Sequence, residues 1–272
     1  MKYVSMDTET TGLNTEKDII LQIGAVIDDT KWWVPGPDFV AVEDLPSIKM
    51  NLLHDRITGQ ITALAMNGWI LSQMREYNDA KSKEQKEEVI AKYGYFVEQH
   101  LAAEHMGKFL KSHLPINNYD KPIHINVAGK NFGTYDWPML KRLPKWENNI
   151  IMRQRIMDPS ILWWDPQLDG ESLPNLATCM ERAGIEPHVT HDALEDSRDV
   201  VRCVRNFYLT DPERVYTKAD IISAMEFMAI EYSHANDDDA EPLEEFQRND
   251  IATHHFNNWS KYGSPLNVPK ED

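Results

Sequence analysis

The chain has 272 residues, 42% of them hydrophobic, enough for one sizeable core with an appendage. A net charge of −16 argues against a broad basic surface for nucleic acid, and no apolar run approaches the roughly 18 residues that a membrane span needs. With no apolar signal segment in MKYVSMDTET and only two cysteines, too few for a disulfide framework, the expected setting is a reducing cytoplasm, with Cys179 and Cys203 as buried thiols.

In chain order, KYVSMD reads as a short strand and DIILQIGAVIDD as a longer, largely apolar and therefore central one. The polar TTGLNTEK between them has turn chemistry. DFVAVED is expected to add a third, antiparallel strand. Residues 54–79 carry a helical pattern broken by Gly59 and Gly68, and residues 84–113 form a long helical pattern rich in Glu, Lys and Ala. KPIHINVAG is a strand, DWPMLKRL a helix with Pro in its first turn, and QRIMDPSILWW a strand that breaks at Asp158-Pro159. SLPNLATCMERAGI and DALEDSRDVVRCVRNFYL are the last two core helices. Strands first, then alternating helix and strand, predict an α/β chain with a mixed sheet. The style changes after about residue 210. Residues 211–272 hold 14 acids and 5 bases, against 30 and 23 in residues 1–210. A helix is expected near residues 217–234, then an acidic linker, ANDDDAEPLEE. His254 and His255 read as an exposed pair or a weak metal site.

Certain acids stand out. Asp7 and Glu9 are two apart on the first strand, so they project to one side. They are either exposed acids near a turn or paired ligands for a hard divalent cation. Asp136 precedes a Pro-led helix, where an N-cap is the simplest role. Asp192 and Glu195 have the spacing of a helix start. On that helix Asp196 shares a stripe with Val200, Cys203, Val204 and Phe207. An unpaired carboxylate on a core face is costly. Arg198, Arg202 and Arg205 are expected on other faces, which leaves a metal as its candidate partner. His191 sits on the loop just before, with a side chain suited to proton transfer near neutral pH.

Together, DTETTGL with IILQIGAV downstream, GKNFGTYDWPML and HDALED resemble the three motifs of the DEDDh family of 3′-to-5′ exonucleases, which includes the proofreading subunit of bacterial DNA polymerase III, RNase T and oligoribonuclease. The resemblance covers residues 1–210. It implies a ribonuclease-H-like mixed sheet flanked by helices. It also implies catalytic residues Asp7, Glu9, Asp136, Asp196 and His191, the four carboxylates holding two Mg²⁺ or Mn²⁺ ions and His191 acting as general base. Thr10, Leu13 and Asn131 are the implied substrate contacts, although Leu13 is equally a turn residue plugging into the core. The implied partner is a single-stranded DNA or RNA 3′ end, DNA slightly favoured. The spacing from Asn131 to Asp136 and the RIMDPSIL strand are nearer to oligoribonuclease, and the stand-alone size resembles phage-encoded members. The expected organisation is an exonuclease domain, 1–210, with a helical insertion at about 51–114, and an acidic extension, 211–272, as a surface for a protein partner. The reading from another class is a non-catalytic exonuclease fold that binds nucleic acid or protein.

Overall fold

A computed structural model describes residues 1–33, 37–115, 121–188 and 190–210. The chain divides into two compact units, Met1–Thr30 with Ala41–Tyr208, and Lys31–Val40 with Leu209–Asp272. The expected helix at 217–234, the acidic linker and the His254–His255 pair lie outside the described residues. Of the second unit, the described part includes a buried Trp33 and a turn in which the Val40 N–H donates to the Trp32 carbonyl.

The first unit is built on a six-stranded sheet. Its strands are β1 (Lys2–Thr10), β2 (Ile20–Asp29), β3 (Ser47–Leu53), β4 (Tyr95–Glu98), β5 (Ile123–Ala128) and β6 (Ile150–Met157), in the order β4-β3-β2-β1-β5-β6. β2 is antiparallel to both neighbours, while β3–β4, β1–β5 and β5–β6 are parallel. One central strand therefore runs against the other five, a ribonuclease-H-like mixed sheet. All ten residues of β2 are buried, as the apolar run requires of a strand covered on both faces.

The helices are α1 (Ile61–Met66), α2 (Gly68–Asp79), α3 (Lys83–Tyr93), α4 (Ala102–His113), α5 (Asp136–Lys141), α6 (Trp146–Asn149), α7 (Pro159–Leu162), α8 (Leu176–Arg182) and α9 (Ala193–Thr210). α4 buries Ala102, Ala103, Met106 and Leu110 against Ile23, Ala25 and Ile27 of β2, a stripe at helical spacing. The residues between those on β2, Gln22 and Gly24, meet the start of α9. Side chains alternate along a strand, so α4 and α9 cover opposite faces of the sheet.

Three expectations change here. DFVAVED is not a strand: only a 3-10 turn forms, at Val42–Asp44, and the strand beside β2 is Ser47–Leu53. Pro46 separates the two stretches, and its carbonyl accepts the Ile27 N–H. The pattern at 84–113 is not one helix. Gly94 adopts φ +91, open to glycine but costly for other residues, and the chain turns there into β4. A Cβ on Gly94 would also meet the Lys49 carbonyl at 2.8 Å. Finally, Arg205 does not lie away from the core. It is 5% exposed, its Nη2 is 2.6 Å from Asp28 Oδ1 and its Nε 3.0 Å from Oδ2, and the Tyr3 hydroxyl donates to that Oδ2 at 2.7 Å.

Within residues 51–114, β3, β4 and α4 belong to the main sheet and core, and only α2 and α3 enclose a smaller cluster. Ile70, Met74, Val89 and Phe96 pack with Leu21, and the Tyr77 ring stacks on Phe96 at 4.4 Å. Ser82 and Gln85 close a capping box at the start of α3. No helix among the described residues is long and apolar enough to cross a membrane.

Candidate active site

Four acids from three separate stretches meet at one end of the sheet. β1 holds Asp7 and Glu9 two residues apart, facing the same side. Asp196 lies in the first turn of α9. Ligand oxygens of Asp7, Glu9 and Asp196 all lie within 4.8 Å of one another. Asp136, 3% exposed, heads α5, where its Oδ1 accepts from the Thr8 hydroxyl at 2.5 Å. It is the first helical residue and its carboxylate does not cap the helix, so the simple N-cap role is not what the structure shows.

The start of α9 is fixed by several contacts. Asp192 is the cap, its Oδ1 accepting from the Leu194 and Glu195 N–H groups at 3.0 and 3.3 Å. Its Oδ2 pairs with Lys49 Nζ at 2.9 Å. The Ala193 N–H donates to Gln22 Oε1 at 2.9 Å, and the Gln22 amide donates to Asn51 Oδ1 at 2.8 Å. A Cβ on Gly24 would meet the Ala193 carbonyl at 2.1 Å, so the helix rests directly on the β2 backbone. Thr190 Oγ1 donates to Asp196 Oδ1 at 3.1 Å. His191 has φ +49, a strained left-handed conformation for this residue.

The carboxylates are poised against ionisation. Burial holds Asp7 well above the usual carboxylate range, and the charges of Asp136, Asp196, Glu9 and Asp192 add to it. Burial, then Asp196, pushes Glu9 up to about 8, while a hydrogen bond from Asn67 acts the other way. Burial raises Asp136 to about 7 against the opposing Thr8 bond. Asp196 is raised to about 6, chiefly by burial, against the Thr190 bond and the charge of His191. The charges that act most strongly on Asp7 are thus all acidic, and Lys49 is engaged by the cap. Such a set stays together at neutral pH by holding protons or a cation. Hard oxygen donors at this separation fit a divalent ion.

The β1–β2 turn forms one wall of a neighbouring hollow. Thr10 Oγ1 donates to the Gly12 carbonyl at 2.9 Å and lies 2.5 Å from the Tyr135 hydroxyl, which also donates to Gly12 O at 2.7 Å. The Asn67 amide donates to the Thr10 carbonyl. Leu13 is 76% exposed, so it does not plug the turn into the core. Glu9, Leu13, Gln60, Ala63, Met66 and Tyr135 are among the residues lining a hollow of about 340 Å³. A larger hollow, about 610 Å³, opens between α2 and α3, but none of the four carboxylates lines it. Asn131 is exposed at φ +54, and its N–H donates to Asp158 Oδ2 at 2.8 Å.

Of the residues singled out in the sequence, Asp7, Glu9, Asp136 and Asp196 come together, with His191 on the adjoining loop and Leu13 at the hollow. Thr10 is committed to the turn, and the Asn131 backbone to Asp158. Sequence reasoning missed Gln22, Gly24, Asn67 and Tyr135. The first two left a signal, a polar residue and a glycine inside an apolar strand; Asn67 and Tyr135 left none.

No family model matches the chain, and no curated protein matches it. Solved structures do. The chain is similar to Exonuclease I from Methylocaldum szegediense at 14% identity and a TM-score of 0.47, over 78% of this chain and 41% of that one. It is similar to the zinc-bound E. coli Exonuclease I–ssDNA complex at 14% identity and a TM-score of 0.48, over 84% and 45%. E. coli Exonuclease I in complex with a dA16 oligonucleotide gives 14%, 0.46, 78% and 41%. The chain spans less than half the length of these proteins.

Proposed function

We propose that this chain is a metal-dependent 3′-to-5′ exonuclease acting on single-stranded nucleic acid, DNA slightly favoured over RNA. Its catalytic domain is residues 1–210, with the insertion at about 51–114 and an extension at 211–272. The observation that carries the reading is the convergence of Asp7, Glu9, Asp136 and Asp196, the strongest charges acting on Asp7 all being acidic. The resemblance of DTETTGL, NFGTYDWP and HDALED to the DEDDh motifs supports it. Two Mg²⁺ or Mn²⁺ ions held by these carboxylates would supply Lewis-acid chemistry, acidifying a water and stabilising charge on the leaving 3′ oxygen.

The protein's own groups do the rest. Asp7 and Glu9 on a central strand, and Asp196 on a helix seated on β2, form a rigid ligand frame. A frame fixed before substrate arrives needs no reorganisation during reaction. His191 takes the proton of the attacking water at a ring nitrogen; it lies on the loop before the Asp192 cap, and its charge acts on Asp196. The exposed Leu13 and the hollow between the turn and α1 receive the terminal nucleoside, an apolar surface for a base. Two buried free thiols suit a reducing cytoplasm.

The test is a gel assay of wild type and Asp7→Ala on 3′- and 5′-labelled single-stranded DNA and RNA, with Mg²⁺, Mn²⁺ or EDTA. Metal-dependent loss from the 3′ end, absent in the mutant, is expected. A folded wild type that cleaves neither polymer overturns the proposal in favour of a binding module.

A further inference from the structure

The lysines and arginines of the first unit form two populations. Many are tied to acids: Lys49 to Asp192, Arg182 to Asp169 at 2.7 Å, Arg202 to Glu43 at 2.8 Å, and Arg205 to Asp28 in the core. Residues 121–157 differ. In a chain of net charge −16 this stretch has seven lysines and arginines and only two acids, one of them Asp136. Among the described residues, Lys130, Arg153 and Arg155 make no ion pair.

The backbone explains where these cations sit. β5 and β6 pair as Ile125↔Met152 and then as Val127↔Ile156, so β6 advances four residues while β5 advances two. The surplus forms a bulge on an edge strand, with Arg153, Gln154 and Arg155 all exposed. Ile156 then turns back inward. A Cβ on Gly133 would meet its Cδ1 at 2.6 Å, so the end of the bulge rests against the turn that leads into Asp136. Lys130 lies just after β5, next to that turn. β1 aligns with β5 as Ser5↔Ala128, and β5 with β6 as Ala128↔Met157. Arg155 is thus two strands across and a few residues back from Asp7, on the order of 15 Å away at normal strand spacing.

We propose that Lys130, Arg153 and Arg155 form a docking edge for the phosphate backbone of a single strand whose 3′ end lies at the carboxylates. The proposal rests on the exonuclease reading and names the side by which the strand leaves. A clustered set of carboxylates repels an approaching polyanion, and cations upstream of the reacting phosphate offset that repulsion. An unpaired arginine presents a fork that matches phosphate oxygens. Bulges beside active sites re-aim side chains in this way. Charged bulges also keep edge strands from pairing with other chains, and the experiment separates the two roles.

The experiment measures the affinity of full-length wild type, R153Q/R155Q and R153E/R155E for single-stranded oligodeoxythymidylate of about twelve nucleotides, across a salt series. Calcium replaces magnesium to hold back turnover, a second arm uses oligouridylate, and R75Q serves as a control on a cation outside the edge. R153Q/R155Q is expected to bind more weakly, with the slope of log affinity against log salt reduced by about 1.4, roughly 0.7 for each lost contact to a single strand. R153E/R155E should bind more weakly still, R75Q should match wild type, and with magnesium the loss of cleavage should grow with strand length. Should one double variant misfold by circular dichroism, the other carries the comparison. Wild-type affinity and slope in both double variants, from a protein that does cleave 3′ ends, overturn the docking edge alone and leave edge protection as its role. A wild type that neither binds nor cleaves either polymer overturns the exonuclease reading and the edge with it.

Discussion

Strands β1 and β2 carry acids at both ends, Asp28 fully buried at one and Asp7 and Glu9 half-buried at the other, and the two ends treat them in opposite ways. Where Tyr3 aligns with Asp28, the carboxylate receives a two-point contact from Arg205 and the tyrosine hydroxyl, and the charge is cancelled within the fold. At the other end, beside Asp7 and Gly24, four carboxylates gather, the strongest charges acting on Asp7 are acidic, and burial raises each of them. The sheet and the covering helix are the same at both ends. A fully buried acid with its cation is a structural tie, whereas half-buried acids that gather beside one another are the candidate ligands of the proposed metal site.

The largest effect should come from removing one acid at each end. Asp7→Ala is expected to lower exonuclease turnover by at least about 10³-fold, with an unchanged or higher Tm because repulsion is relieved. Asp28→Ala should instead cost about 3–5 kcal/mol by removing the carboxylate against which Arg205 is buried, seen in chemical denaturation, with turnover of the folded fraction kept. A destabilised Asp7→Ala together with a neutral Asp28→Ala would reverse the comparison.

The next test is pH. Glu9, Asp136 and Asp196 are raised to about 8, 7 and 6. Between their ordinary values and these, the folded state therefore binds more protons than the unfolded one. Stability then falls as pH rises. The metal-free protein should be at full stability near pH 4 with respect to these groups and should lose Tm progressively up to about pH 8. Saturating Mg²⁺ or Mn²⁺ should flatten the loss above pH 6. Scanning fluorimetry with EDTA and with metal checks this, and a Tm that climbs from pH 5 to 8 without metal contradicts it.

Two smaller effects sharpen the positions of the parts. Gly24→Ala forces a methyl into the Ala193 backbone and should shift α9 with Asp196, costing about 1–3 kcal/mol and lowering turnover, whereas Gly68→Ala, in open space, should do neither. Thermal melts and rates on the two variants decide it. Leu13→Ala should be the mildest, raising KM for single strands by about 5- to 100-fold if one base stacks on it, with Tm unchanged given its exposure. An unchanged KM would remove Leu13 from the substrate surface.

Much of the site was legible in the sequence because local rules place it. The period of two puts Asp7 and Glu9 on one side of a strand, and Asp192 with Glu195 announces the start of α9, which the hydrogen bonds of the cap bear out. Pro159 ends β6 where the strand was expected to break. Leu13 reads in the sequence equally as a contact for the terminal base or as a turn residue plugging into the core, and its exposure in the fold removes the second.

Other features depend on partners distant in the chain. The stripe on α9 marks Val200, Cys203 and Val204 as buried, but nothing in its period could show that Arg205 turns inward to an aspartate 177 residues earlier. Gln22 and Gly24 look like interruptions of an apolar strand until α9 lies across them, one accepting the Ala193 N–H and the other leaving room for its carbonyl. The helical pattern of 84–113 was strong enough to hide β4, because residue spacing does not record that Gly94 must turn to bring Tyr95–Glu98 beside β3. Which residues alternate, cap and break can be read along the chain, since those features depend on neighbours a few bonds away. Which acids meet a cation and which gather together follows from the fold, because the sheet and α9 bring together residues far apart in the chain.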